Sequence, residues 1–171
     1  KRITEYNGVA VEGNSNFTVG IATGNTLVRV LNMIDTNGTE SKSKGIYDGQ
    51  KAMFTDKAVR ITEAQGKAVP SFMAMHYHTE DFVNAAKKYN EGLTAADTYT
   101  IGADYVAQDG DFGRRGASTL TGYIDSVLDF ARNINSEAVF VGHKHRINTC
   151  ISYEGIKWVF GLKTGQYCDH E

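Results

Sequence analysis

The spacing of apolar positions changes several times along the chain, and each change predicts an element. "NFTVGIA" and "LVRVLNMID" are dense in β-branched and apolar residues and are separated by "TGN". They read as two strands joined by a tight turn. Upstream of them, "EGNSN" from Glu12 to Asn16 reads as a turn, and downstream "TNGTESKSKG" is polar throughout and reads as a surface loop. From Asp48 to about Gln65 the pattern turns helical, with Ala52, Val59 and Ile61 as a sparse apolar face and Gly66 as the stop. "VPSFMAMHYH" reads as a buried strand over Ser71–Met75 that delivers His76 and His78. In "TEDFVNAAKKYNEG", Thr79 caps a helix lined by Phe82, Ala85, Ala86 and Tyr89, and Gly92 ends it.

The second half continues in the same way. "DGDFGRRGAS" is a glycine-rich loop, after which Thr119 or Thr121 opens a helix with Ile124, Val127, Leu128 and Ala131 on one face. "EAVFVG" reads as the next buried strand. "TCISYEGIKWVFGL" reads as strand, Glu154-Gly155 turn and strand, a C-terminal hairpin on which Trp158 and Tyr153 serve packing. The order of strands and helices predicts an α/β or α+β domain spanning residues 1–171, with its strands in a central sheet.

Composition adds limits to this outline. At 171 residues, 41% hydrophobic and 22% charged, the chain has the make-up of one globular domain with a real core. A formal net charge of -2 and only short like-charge runs, such as Lys87-Lys88 and Arg114-Arg115, offer no basic surface for nucleic acid. No apolar stretch approaches the roughly 18 residues of a membrane span, and the first residues lack the apolar core of a signal peptide. Cys150 and Cys168 have no paired CxxC spacing, and both a disulfide and two separate thiols stay open. Asn16-Phe-Thr18 and Asn37-Gly-Thr39 fit the glycosylation acceptor pattern, which is common by chance.

The chemistry worth weighing is in the histidines. Of five in the chain, His76, His78, His143 and His145 lie just beyond the two predicted buried strands. In open α/β sheets the carboxyl ends of strands are where loops present functional side chains. His143 and His145, two apart in an extended segment, point the same way, and Gly142 permits a sharp turn before them. Neutral imidazole is the commonest metal ligand. A lone HxH or a single histidine after a strand is more often an ordinary loop residue; the joint pattern favours a metal site. Arg114 and Arg115, near an anionic substrate or simply solvated, and Lys163-Thr164, which lacks P-loop spacing, carry less weight. No serine sits on a nucleophile elbow.

These segments together resemble a known family. "VFVGHKH" resembles the last metal-binding motif of the calcineurin-like metallophosphoesterases, and "SYEGIKWVFGLKTG" resembles the segment next to that motif in their purple acid phosphatase-like branch. "VPSFMAMHYHTEDF" resembles the segment in which an apolar strand ends in a metal-binding histidine, and "VRVLNMIDTNG" the strand ending in Asp-Ser or Asp-Thr. The resemblance runs from about residue 17 to the end. It implies half of a β-sandwich flanked by helices. It implies that His76 and His143 bind the second of two metal ions and His145 the first. His78 falls where the family usually has proline, so no family role carries over to it.

The family's Asp-x-His, Gly-Asp-x-x-Asp and Gly-Asn-His-Glu/Asp motifs have no counterpart here, so the chain is expected to be the C-terminal half of such a domain, with the N-terminal half as its partner. The resemblance further implies two ions (Zn, Fe or Mn) acting on a phosphate ester; the branch it resembles is often exported, and the location of this chain stays open. In such a centre two ions about 3.5–4 Å apart polarise the phosphoryl oxygens and supply hydroxide near neutral pH. Three histidines cannot fill two coordination spheres, and Asp35, Asp81 and Asp111 are better read as a turn acceptor, a first-turn helix charge and a solvated loop group. This half alone is therefore expected to bind metal weakly and to hydrolyse esters poorly. The alternative is a non-catalytic metal-binding or interaction module on the same fold.

Overall fold

The computed structural model describes residues 5–39, 42–91, 120–144, 147 and 149–161. In chain order the strands are β1 (Glu5–Tyr6), β2 (Val9–Ala10), β3 (Phe17–Thr23), β4 (Thr26–Ile34), β5 (Asn37–Thr39) and β6 (Lys42–Lys44). Helix α1 (Asp48–Gln65), strand β7 (Ser71–Met75) and helices α2 (Glu80–Glu91) and α3 (Leu128–Asn133) come next. Strands β8 (Ser136–Val141), β9 (Thr149–Tyr153) and β10 (Ile156–Phe160) complete the set.

Six strands form one sheet in the order β3-β4-β7-β8-β10-β9. β4, β7, β8 and β10 run parallel, while β3 and β9 pair antiparallel at the two edges. The chain is thus a mixed α/β protein in which the carboxyl ends of four neighbouring strands open on the same side. Alternation sorts the strand residues onto two faces. On one face Val30, Ile34, Met73, Met75, Val139, Val141, Trp158 and Phe160 are buried. The helices close over them: Met53 and Phe54 from α1, Phe82, Ala85 and Ala86 from α2, and Phe130 and Ala131 from α3 join the same core. Trp158 is fully buried, its indole N–H donating to the Tyr153 carbonyl at 3.1 Å. The other face carries Phe17, Val19 and Ile21 at 45–50% exposure and Phe140 at 39%. No described helix covers it.

Several expectations meet the structure directly. β7 spans Ser71–Met75 and α1 spans Asp48–Gln65, closed by Gly66 at φ 69. Thr79 caps α2 by accepting the Phe82 N–H at 3.3 Å. The Glu154-Gly155 turn joins β9 to β10, both residues at positive φ. The side chain of Tyr89, together with Gly92, Asp111, Arg114, Arg115, Thr119, Lys163, Thr164 and Cys168, lies outside the described residues.

Others need correction. The face of α1 is not Ala52 and Val59, which are exposed, but Met53 and Phe54 with the fully buried Gln50. Gln50 is a hub: its Nε2 donates to Asn16 Oδ1 at 2.9 Å and to the Asp35 carbonyl at 2.7 Å, and its Oε1 accepts the Tyr47 N–H at 3.0 Å and Asn37 Nδ2 at 3.1 Å. Both sequon asparagines therefore spend their side-chain amides inside the fold. The "TNGTESKSKG" segment is not a plain loop; β5 and β6 pair within it. The helix expected to open at Thr119 or Thr121 begins only at Leu128. Ile124 is instead held in a bridge to Thr79, accepting the Glu80 N–H at 2.9 Å and donating to the His78 carbonyl at 2.9 Å. Among the described residues no helix is long and apolar enough to cross a membrane.

Candidate metal centre

β7 and β8 are parallel neighbours, so the residues after Met75 and after Val141 emerge side by side. The Gly142 N–H donates to the His76 carbonyl at 3.0 Å, extending the ladder one step past the strands and tying the two loops together. The sharp turn is not at Gly142, as the sequence suggests. It is at His143, whose φ of 74 places a non-glycine residue in the sparsely populated left-handed region. That conformation turns its ring back toward β7.

As a result His143 Nδ1 stands 3.1 Å from His76 Nε2, with ring centroids 5.0 Å apart and planes at 80°. Two nitrogens on one ion, each about 2.05 Å from it and about 90–110° apart, lie about 2.9–3.4 Å from each other. The pair thus has the separation of a shared ligand set as well as that of one N–H···N hydrogen bond. Tyr77 packs against both rings, its centroid 5.0 Å from His76 and 4.4 Å from His143. Lys44 stands 5.4 Å above the Tyr77 ring and donates to the Gly122 carbonyl at 2.5 Å. Neither Tyr77 nor Lys44 is signalled by the sequence; Tyr77 is marked only by lying between two histidines.

His145 lies outside the described residues, so of the three expected ligands the structure brings together His76 and His143. The carboxylates nearby are committed elsewhere. Asp35 accepts the Asn14 N–H at 2.7 Å and the Asn37 N–H at 2.8 Å, the turn role read from the sequence. Asp81 sits in the first turn of α2 but is buried, accepting the Ser126 hydroxyl at 2.6 Å and the Val127 N–H at 2.7 Å. Among the described residues no group of three or more His, Cys, Asp and Glu side chains is arranged to hold a metal. What the pair fits is part of one ion's coordination sphere; it does not by itself fit two ions.

His78 is the unexpected residue. It is fully buried, with ring centroids 5.7 Å from Phe160, 6.4 Å from Phe82 and 6.4 Å from Tyr123. Neither of its ring nitrogens has a hydrogen-bond partner among the described residues. Such an orphaned buried group costs about 1–3 kcal/mol. Burial, and after it the positive charges of His143, Lys144 and Lys44, push its pKa down to about 4, so the ring is neutral at pH 7. Its plane is nearly parallel to that of His143, at 21° and 6.3 Å between centroids.

Beside His76, a depression of about 620 Å³ opens on the uncovered face of the sheet, floored by Phe17, Met33, Ala74 and Phe140. His76 therefore borders exposed apolar surface rather than closed protein. In comparisons with known proteins, no family model, no curated protein and no solved structure matches this chain.

Proposed function

We propose that the chain is the C-terminal half of a metal-dependent phosphohydrolase and supplies the imidazoles of a dinuclear centre that cleaves phosphate esters. The observation that carries this reading is the 3.1 Å approach of His76 Nε2 and His143 Nδ1 at the carboxyl ends of adjacent parallel strands. His76 and His143 hold one ion and His145 the neighbouring one. The ions, when bound, supply Lewis-acid polarisation of the phosphoryl group. The chain's own contribution is orientation: the Gly142-to-His76 hydrogen bond fixes the distance between the loops, and the Tyr77 ring restricts both imidazoles. The remaining ligands, including the carboxylate needed between two cations, come from an N-terminal half. That half packs on the open sheet face carrying Phe17, Val19, Ile21 and Phe140, and so makes a sandwich of the two.

The test is hydrolysis of para-nitrophenyl phosphate and its diester with Zn, Mn or Fe, by this chain alone and together with the upstream half of the domain. The expected result is weak turnover alone and at least a hundredfold gain together, lost on chelation and lost in His76→Ala. Strong turnover by the lone chain would show that the missing ligands are not needed.

The second reading is a non-catalytic interaction module. That no group of three or more His, Cys, Asp or Glu side chains among the described residues is arranged to hold a metal, beside exposed apolar surface, favours it. Metal content separates the two: two equivalents in the assembled domain belong to the enzyme, one or none to the module.

A further inference from the structure

We propose that the alcohol released from the phosphate ester is a polyol, and that it lies in a polar groove entered past Lys44. This rests on the phosphohydrolase reading and deepens it by naming the substrate class: phosphate esters of sugars and other polyhydroxyl alcohols.

Two recesses open near His76 and His143. The apolar one, beside His76, lies on the sheet face that the N-terminal half covers. The other is a groove of about 420 Å³ between β6, the first turn of α1 and residues 125–127. Lys44 joins it to the imidazoles. The residue lines the groove, and its Nζ stands 5.4 Å from the centre of the Tyr77 ring, which packs against His143. An ester with its phosphoryl group at the imidazole pair therefore has this groove beside it for the rest of the molecule. Hydrolysis breaks the ester P–O bond. Water gives its oxygen to the phosphate and a proton to the departing alkoxide, and the neutral alcohol is left in the groove.

The lining of the groove decides what that alcohol is. Lys44 and Lys51 share it with Asp48 and Asp125. None of the four forms an ion pair among the described residues. Lys44 donates to the Gly122 carbonyl, which leaves an ammonium with further N–H groups to give. A second anionic group in the groove would meet the two carboxylates, and an aminoalkyl group the two ammonium groups; each would lose part of what it gains. An aryl or alkyl group would take water from all four and return no hydrogen bond. A hydroxyl both donates and accepts. Its O–H goes to a carboxylate and its oxygen takes an ammonium N–H, both as charge-assisted bonds. Several hydroxyls on one carbon chain answer both signs of the lining at once, while Lys44, at the junction, meets the phosphoryl oxygens as a point charge.

The experiment compares glucose 6-phosphate with ethyl phosphate as substrates of the assembled domain, this chain with its upstream half. Both are alkyl monoesters, and the second lacks further hydroxyls. The expected result is a kcat/KM at least tenfold higher for the sugar ester, and a preference that Asp125→Asn and Lys51→Gln each reduce at least fivefold. A loss of folded protein would lower both rates and leave their ratio as it was. Equal kcat/KM values, or a preference that neither variant moves, mean that the four charges are only solvated and overturn the proposal. Hydrolysis of ethyl phosphate that His76→Ala abolishes then leaves the metal centre standing. Should neither ester be hydrolysed, the phosphohydrolase reading falls, and the groove is judged on the lone chain by amide NMR titration with glucose 6-phosphate. Shifts at residues 43–51 and 125–127 that Asp125→Asn removes keep it as a polyol phosphate site; no shifts there overturn it as well.

Discussion

An imidazole between Phe82 and Phe160 has to stay neutral to remain there, and this ties the fold to pH. In the unfolded chain His78 titrates near about 6.5; in the folded protein burial holds it down at about 4. Between those values the unfolded chain binds the proton and the folded protein does not. Stability conferred by this residue is therefore complete above about 6.5 and declines as the pH falls, by roughly 3 kcal/mol at about pH 4. Other groups titrate in the same range, so the measurement is a difference. Urea unfolding of wild type and His78→Phe at several pH values should give curves that diverge on acidification, the variant losing less. Parallel curves would mean that His78 reaches solvent when charged. Position 78 also shows where the sequence is legible and where it is not. The apolar run ending at Met75 announces that side chains will be delivered at the strand's end. Which of two histidines two apart faces out and which goes under α2 depends on the Ile124 bridge, a contact between residues 45 positions apart.

At the scale of elements, short-range signals locate most of the structure. Runs of β-branched and apolar residues mark β3, β4, β7, β8, β9 and β10, and the glycine after Gln65 closes α1. Sequence and structure part where a long-range hydrogen bond outweighs the local pattern. Ile124 and Val127 have helical spacing, yet Asp81 takes the Val127 N–H and Thr79 pairs with Ile124, so α3 is confined to Leu128–Asn133. Gln50 is polar and belongs to no expected apolar face, yet three of its hydrogen bonds bind α1 to the turn before β3, to the end of β4 and to β5. Its neighbour Gly49 provides a test. A Cβ there would lie 1.9 Å from the Ala10 carbonyl oxygen, so β2 packs on α1 through the missing side chain. Alanine in a helix interior is worth about 0.5–1 kcal/mol over glycine, but backbone overpacking costs about 1–3 kcal/mol. The clash wins. Gly49→Ala should lower stability by about 1–2 kcal/mol, with amide exchange accelerated first in Glu5–Tyr6 and Val9–Ala10. A stabilised variant would mean that β1 and β2 shift aside without cost.

At the scale of the molecule, the two sides of the sheet are unequal. One is closed by the three described helices; the other shows three apolar residues of the edge strand β3, each at 45–50% exposure, beside a depression that reaches His76. Edge strands with apolar faces invite association and are normally blunted by charge. Arg29, on the neighbouring β4, does this at one point, stacking on Phe72 and pairing with Glu137. An N-terminal half laid on this face would cover the apolar residues and bring its ligands to the rim where His76 and His143 stand. The same surface would then serve packing and catalysis together. This yields the last prediction. Val19→Lys with Ile21→Lys replaces side chains that the lone chain exposes, so its unfolding free energy should change by no more than about 0.5 kcal/mol per site. Binding to the upstream half, measured by titration calorimetry, should weaken at least tenfold, and the restored hydrolysis should fall with it at a given concentration. Binding of a fluorescent apolar dye to the lone chain should fall as well, since its surface is the one being charged. If the doubly substituted chain associates and is activated as wild type, the two halves do not meet across this face, and the imidazole pair must be completed from the helical side instead.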